Sequence, residues 1–294
     1  MWFCLIDSVF FDRQIKCIGI ENTRKLINYT VYTKNPLANK ILKNCGVNIN
    51  RKGRIKDIKI YNDCTIKLVE NFQENKSIPE DLAGALIAQL VISEYLFGID
   101  SIKIPIQFNK KIKSKKSIII GAGGLGNPVS YMLNKNKIPF VIIDDDVVDK
   151  TNIARQFLFT KKDIGKYKVN AIEKKLKYCK KGIIEKVTEK NLNILDEYET
   201  IYLCVDNIES RLLISNYALK KGKKIISAGV EGQKGMILKN FDFDKYVSKY
   251  NNDDSVNGIV PSIVILTGIL QAYMLNIDKS IIYMDFYTGR GFFS

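Results

Sequence analysis

Residues able to do chemistry are concentrated between Ser117 and Arg211. An apolar β-branched run, Ile118 to Ile120, passes straight into Gly121-Ala122-Gly123-Gly124-Leu125-Gly126, and a helix-compatible segment from Val129 to Lys135 follows. Strand, glycine turn and helix in that order make an anion site. The glycines allow a tight turn and close backbone approach, and the helix start offers unpaired N–H groups and a positive dipole end. The spacing predicts a bound nucleotide. A second apolar run, Phe140 to Ile143, ends at Asp144, 18 residues after Gly126, where an acidic side chain takes ribose hydroxyls. Asp206 likewise follows the apolar run Ile201 to Val205, at the carboxyl end of a strand, where open α/β sheets bind ligands. The chain contains no histidine, which removes every Ser-His and Cys-His arrangement and leaves acid–base work to Asp, Glu, Lys or Tyr.

The elements that must position these residues alternate from Ser117 onward. Strands are expected at 117–120, 140–143, 184–187, 200–205 and 224–227, and helices at 129–136, 166–179 and 210–220. An antiparallel strand over 231–237, a polar stretch over 242–257, an apolar helix Pro261 to Leu275 and a strand Ile281 to Tyr287 complete the chain. This alternation predicts an α/β fold with a doubly wound, mainly parallel, Rossmann-like sheet over residues 117–294. Residues 1–107 read as a smaller α+β unit. It has β-type runs at 29–32, 55–61 and 65–69, a helix from Pro36 to Cys45 closed by Gly46, and a turn at Arg51-Lys-Gly-Arg54. Ser77-Ile-Pro-Glu80 is a capping-box pattern opening a helix to Phe97 that is apolar nearly all round, so it needs cover from another layer or a second subunit. The polar, positive residues 108–116 read as a linker.

With 294 residues, 46% hydrophobic and 26% charged, the chain can bury a substantial core. The formal charge of +15 rests on lysines dispersed along the chain, and only seven of 46 basic residues are Arg. No basic cluster is interleaved with aromatics, so a solvated surface is expected rather than a nucleic-acid footprint. The six cysteines, Cys4, Cys17, Cys45, Cys64, Cys179 and Cys204, include no C-x-x-C pair, so zinc is not expected and a reducing compartment suits them. The N-terminus lacks a basic n-region, and the most apolar window, Leu82 to Phe97, is interrupted by Gln89, Ser93 and Glu94. A cytoplasmic protein without a membrane partner is predicted.

Five motifs fall in a fixed order: Gly121-x-Gly-Gly-Leu-Gly126, Asp144-x-Asp146, Asn152-x-x-Arg155-Gln156, Gly165-x-x-Lys168, and Asp206-Asn207 followed by Arg211. Together with Gly258-Ile-Val-Pro-Ser and Thr267-Gly-x-x-Gln271-Ala, this order resembles the ThiF/MoeB/HesA superfamily, the ubiquitin-activating-enzyme-like adenylyltransferases. The likeness covers residues 117–290. It implies attack of a carboxylate on the α-phosphate of ATP with Mg2+ present, giving an acyl adenylate and pyrophosphate. By this resemblance the nucleotide is held by Gly121, Gly123, Gly124, Leu125, Gly126, Asp144, Asp146, Asn152, Arg155, Gln156, Lys168, Asp206 and Asn207. Arg155 and Gln156 would meet phosphates, Lys168 would neutralise charge on the α-phosphate, Asp206 would coordinate Mg2+, and Arg211 would bind or brace. Phe11-Asp-Arg13-Gln-Ile15 is similar to a family segment whose arginine crosses a dimer to the partner's ATP, which would make Arg13 catalytic and the protein a homodimer.

The chain also departs from this pattern. About 90 extra residues separate Arg13 from the glycine strand. The two zinc-binding C-x-x-C pairs of many members are absent. Residues 236–258 hold no cysteine for a thioester, and Cys204 lies inside a strand as core. An enzyme that adenylates and hands its product to a separate acceptor protein is therefore expected. Its carboxylate would be either the C-terminus of a ubiquitin-like or sulfur-carrier protein or a small molecule, as in a cofactor-biosynthesis member resembling HcgE. An NAD-dependent oxidoreductase would use the same glycines and Asp144 but leaves Arg155, Gln156, Lys168 and Asp206 without a task. A catalytically silent partner subunit would not need them.

Overall fold

A computed structural model of the chain describes residues 7–61, 65–70, 78–103, 111–243 and 258–294. The first elements are α1 (Asp12–Asn28), β1 (Thr30–Thr33), α2 (Pro36–Asn44), β2 (Asn48–Ile49), β3 (Arg54–Ile60), β4 (Thr65–Glu70), α3 (Glu80–Phe97) and β5 (Ser101–Lys103). Their strands form a mixed five-stranded sheet in the order β2-β1-β3-β4-β5. Asn35 caps α2 by accepting from the backbone N–H of Ala38 at 3.0 Å, and α3 ends where Gly98 turns left-handed at φ 71°.

The second set is β6 (Ser117–Ile120), α4 (Gly126–Lys135), β7 (Phe140–Ile143), α5 (Lys168–Lys175), β8 (Cys179–Ile183), β9 (Thr200–Leu203), α6 (Ile208–Lys220), β10 (Lys224–Glu231), β11 (Lys234–Lys239), α7 (Pro261–Tyr273), β12 (Ile281–Asp285) and β13 (Arg290–Phe293). They build an eight-stranded sheet ordered β13-β12-β11-β10-β9-β6-β7-β8, parallel from β10 to β8 and antiparallel at β11 to β13. The two-residue period of a strand sends alternate isoleucines to opposite faces. Ile118 and Ile120 pack with Ile201, Leu203 and the α6 residues Ile214 and Ala218. Ile119 and Tyr202 join Met132 of α4 and Ile263 of α7. Both faces are therefore covered, as a parallel sheet requires. The chain runs outward from β6 to β8 and returns to the other side at β9, so the strand order reverses between β6 and β9. That reversal opens the crevice in which ligands of such sheets bind.

The apolar helices α3 and α7 cover each other. Every residue of α3 from Asp81 to Ser93 is buried, in contact with α2 and α7, and every residue of α7 is buried. Each such Leu or Ile stabilises the fold by roughly 1.5–3 kcal/mol. Gln89 carries the polarity through this contact, accepting from Ser262 Oγ at 2.6 Å and donating to Gln233 Oε1 at 2.7 Å. Of the two covers expected for α3, another layer or a second subunit, the first is thus supplied within the chain. Beyond them, Gly289 and Gly291 let β13 run beside β5: a Cβ on either would sit 2.8 or 2.7 Å from the carbonyls of Ser101 and Lys103.

Several element boundaries differ from expectation. The helix expected at 166–179 is shortened to α5, because Leu176 turns extended and Cys179 already begins β8; residues 184–187, expected as that strand, lie beyond it. β8 is the sheet edge, so its lysines face water and its pattern is too polar to read as a strand. α1 and β13 were not expected, and an interior glycine with non-helical dihedrals at Gly19 breaks the periodicity of α1. The expected capping residue Ser77, residues 108–110 of the expected linker and most of the polar stretch at 242–257 lie outside the described residues. The described end of the linker is pinned, with Lys113 N–H donating to Asn276 Oδ1 at 2.9 Å and Ile112 buried.

Candidate functional site

Each fingerprint glycine stands in a different environment. Gly121, at φ 97°, follows β6 where a Cβ would lie 2.7 Å from the Cys204 carbonyl, just past the end of neighbouring β9. A Cβ on Gly126 would lie 1.9 Å from the Gly121 carbonyl, so this glycine lets α4 start against its own strand. Gly124 would meet Val264 of α7 at 2.7 Å. Gly123 alone faces open space: a Cβ there would have only Gln156 Nε2 near it, at 4.0 Å. Packing accounts for three of these glycines and leaves Gly123 with open space before it. Leu125 is buried at the start of α4, and no side chain caps that helix, leaving its first N–H groups for an anion.

Asp144 follows β7 and holds the loop in shape. Its two oxygens accept from the backbone N–H of Ala122 at 2.6 Å and of Asp146 at 2.8 Å. Burial pushes its carboxyl above the ordinary range, with Lys168 and those two N–H donors pulling the other way. Lys168 is only 6% exposed, opens α5 and donates to Asp146 Oδ2 at 2.5 Å. Among the described residues this buried lysine hydrogen-bonds Asp146 alone, although its ammonium carries three donors. Among the described residues the carboxylates of Asp144, Asp145 and Asp146 lie within 4.8 Å of one another, and Asp206 stands outside that group.

The segment after β7 folds over the glycine loop. Asn152 closes a 3-10 turn by accepting from Asp149 N–H at 3.1 Å, and its carbonyl accepts from Gln156 N–H at 2.8 Å. Arg155 donates to the Thr151 carbonyl at 2.8 Å and lies along Gly124, its Cδ 3.8 Å from the position a Cβ there would take. Gln156 is 2% exposed, and its Oε1 finds no hydrogen-bond partner among the described residues. Such an orphaned acceptor costs about 1–3 kcal/mol unless something donates to it.

On the other side of the crevice Asp206 follows β9, exposed, with no hydrogen bond or ion pair among the described residues. Asn207, not Asp206, caps α6, accepting from Ser210 N–H at 2.7 Å. Arg211 braces α6 to β10 through Ser227 Oγ at 2.9 Å and the Ala228 carbonyl at 2.7 Å. Cys204 is buried on Gln271, and burial pushes its thiol up to about 12, the state of an inert core cysteine.

The structure therefore gathers the glycine loop, Asp144, Asp146, Asn152, Arg155, Gln156, Lys168 and Asp206 at the carboxyl ends of β6, β7 and β9. The side chains of Asn152 and Asn207 serve as caps there. Arg13 stands in the first turn of α1, its carbonyl accepting from Ile259 N–H at 2.9 Å. Burial, and then the like charge of Arg13, disfavour the charged form of Arg155, while Asp12, Asp206 and Asp149 favour it. Sequence reasoning missed Asn127, fully buried, which donates to the Ala122 carbonyl at 3.3 Å and accepts from Leu158 N–H at 2.8 Å. It stitches the glycine loop to the segment above it. An amide in the first turn of an apolar helix was the available signal.

The comparisons with known proteins agree with this geometry. The family described as "ThiF family" matches residues 99–273. The chain is 37% identical over 143 residues to the adenylyltransferase and sulfurtransferase uba4 of Aspergillus niger, covering 46% of this chain and 30% of that one. It is 29% identical over 175 residues to the protein of the same name in Candida glabrata, covering 55% and 40%. It is 33% identical over 135 residues to a probable molybdopterin-synthase adenylyltransferase of Gracilaria tenuistipitata, covering 44% and 38%. The matched regions span well under half the length of each of these relatives. The fingerprint, the crevice and the matched residues together establish that the chain belongs to the ThiF family.

Proposed function

We propose that the chain adenylates a carboxylate. A carboxylate oxygen attacks the α-phosphorus of ATP, the bond to the bridging oxygen of pyrophosphate breaks, and an acyl adenylate and pyrophosphate result. The observation that carries this reading is the convergence of Lys168, Arg155 and Asp206 on a glycine loop whose Gly123 no packing explains. Such a transfer needs positioning and charge neutralisation more than covalent help. Asp144 receives the ribose, the glycine loop and the start of α4 receive phosphate, and Lys168 and Arg155 offset the growing negative charge. Asp206 would hold Mg2+, a hard ion that takes one or two carboxylates and keeps water and phosphate oxygens as its other ligands. That ion would add positive charge at the phosphates.

The carboxylate we favour is the C-terminus of a ubiquitin-like or sulfur-carrier protein. The relatives' names pair adenylyl transfer with sulfur transfer or with molybdopterin synthase. Cys204 is sealed in the core, so the acyl group passes to a separate acceptor. A homodimer follows from the family resemblance.

The test is ATP–pyrophosphate exchange with Mg2+, run against sulfur-carrier proteins ending in Gly-Gly and a panel of small carboxylates. Exchange with a carrier protein, lost in Lys168→Ala, is expected. Exchange with a small carboxylate only would move the substrate to a cofactor precursor of the HcgE type. Binding of NADH without ATP would overturn the reading.

A further inference from the structure

The segment that carries Arg155 and Gln156 runs on into Phe157, which is 3% exposed. Two helices packed on the five-stranded sheet reach its ring by separate routes. From α2, Lys40 Nζ stands over the ring, 5.0 Å from its centroid. From α3, the buried Asp81 accepts from the Tyr131 hydroxyl at 3.0 Å, and the Tyr131 ring meets Phe157 edge to face, with centroids 5.4 Å apart and planes at 71°. Tyr131 itself belongs to α4, the helix that starts at the last glycine of the loop. Lys135, one turn further along α4, donates to the same Asp81 carboxylate at 2.8 Å, while Lys40 alone among the described residues supplies a cation to the ring.

These contacts do more than bury an apolar side chain. An aliphatic neighbour would exclude water from Phe157 equally well, but a cation seeks the negative face of a ring and an edge-to-face partner sets its tilt. Burial, and then the charge of Asp81, hold the Tyr131 phenol protonated, so it remains a donor to that carboxylate. The backbone around the ring is bonded on both sides. Gln156 N–H donates to the Asn152 carbonyl at 2.8 Å, Phe159 N–H to the Gln156 carbonyl at 2.9 Å, and Leu158 N–H to Asn127 Oδ1 at 2.8 Å. A displacement of the ring is therefore passed to Gln156 and Arg155, which lie along Gly123 and Gly124 of the loop.

We infer that Phe157 is the joint through which α2 and α3 position Arg155 and Gln156 over the glycine loop, which makes Lys40, Asp81 and Tyr131 positioning residues for that site. The phosphate-directed part rests on the nucleotide reading above; the joint itself does not. Two measurements separate them. In the first, amide hydrogen exchange over residues 152–159 is followed by mass spectrometry in the nucleotide-free protein. Tyr131→Phe keeps the ring and removes the link to Asp81, and Lys40→Ala removes the cation. Each is expected to speed exchange of the segment about 3-fold or more, with Lys40→Arg restoring the wild-type rate. Lys135→Ala also takes a partner from Asp81 and should leave the segment at the wild-type rate, which controls for general loosening of the α3–α4 contact. A wild-type rate in either Tyr131→Phe or Lys40→Ala, or equal acceleration in Lys135→Ala, would overturn the inference.

In the second, equilibrium binding of ATP and of adenosine is compared in wild type and Tyr131→Phe, each with and without Arg155→Ala. Tyr131→Phe is expected to weaken ATP about 3- to 10-fold and to leave adenosine unchanged. Because the effect runs through the segment that carries Arg155, the loss should shrink in the Arg155→Ala background. An undiminished loss there, no loss at all, or equal losses for the two ligands would leave Tyr131 a structural role only and overturn its part in positioning. A wild-type protein that binds no ATP would instead defeat the nucleotide reading and leave the exchange result standing.

Discussion

The two walls of the crevice are built to different degrees of completion. On the β6–β7 wall Asp144 holds two backbone N–H groups, Lys168 is paired with Asp146, and Asn152 closes its own turn. At the opposite wall Asp206 is exposed and without a hydrogen bond or ion pair among the described residues, and across from it Gln156 keeps an orphaned oxygen. The first wall's groups already hold bonds within the protein, Lys168 with donors to spare, whereas Asp206 and the Gln156 oxygen hold none among the described residues. Changes at Asp144 and Asn152 should therefore cost stability, changes at Asp206 should cost turnover, and changes at Lys168 should cost both.

Substitutions can break or sharpen this contrast. The largest effect is expected from Gly126→Ala, whose Cβ meets a backbone carbonyl at 1.9 Å. A destabilisation of more than about 4 kcal/mol should leave little folded protein, read by thermal melting. Asp206→Asn should lower pyrophosphate exchange by about 10³-fold, as loss of a charge-stabilising group at a phosphoryl site does. Its melting should shift by no more than about 0.5 kcal/mol; a large shift would place Asp206 with the self-satisfied wall. Gly123→Ala, at a position outside the left-handed region and with open space before it, should fold normally and bind ATP about 10-fold more weakly by calorimetry.

The pH response of Asp144 distinguishes fold from binding within one residue. Its folded pKa is raised by burial, so its contribution to stability is present below the unfolded value and is lost as pH rises through the folded value. Lowering the pH into the carboxylate range should thus relieve the fold while protonating the group assigned to the ribose in the proposed function. ATP affinity should fall a few-fold there, by about one proton's linkage, and Asp144→Asn should flatten that dependence. The smallest effect belongs to Cys204→Ala. Its cavity should cost about 1–2 kcal/mol in denaturant melts, with exchange activity within twofold of wild type. Loss of activity in that variant would contradict the inert thiol.

The sequence made the glycine wall legible because its determinants are local: Ile118 to Gly126 and Phe140 to Asp144 each lie within a single turn of chain. Asp206 was legible for the same reason, standing directly after an apolar strand. What remained hidden depends on distant partners. The start of α1 is seated by Gly46 against Phe11 and by Ile259 N–H on the Arg13 carbonyl, at separations no periodicity encodes. Asn207 rather than the adjacent Asp206 caps α6, a choice made by one residue of register. The end of α5 falls earlier than expected because β8 carries two adjacent exposed lysines, Lys180 and Lys181, on a sheet edge and so has no apolar alternation. The sequence left the cover for α3 open between another layer and a second subunit, since mutual burial of two all-apolar helices is a property of their crossing and not of either helix alone.

The approach of β13 to β5 bears on behaviour in concentrated solution. A sheet edge is a row of unpaired backbone groups that can template another chain. Here the β13 edge of the large sheet and the β5 edge of the small one are turned toward each other, brought close by Gly289 and Gly291. The outer edges that remain are β2, two residues long, and β8, which carries Lys180 and Lys181. One is too short to recruit a strand and the other repels its own copy. The glycine pair thus shields both sheets against edge-to-edge aggregation with a single contact.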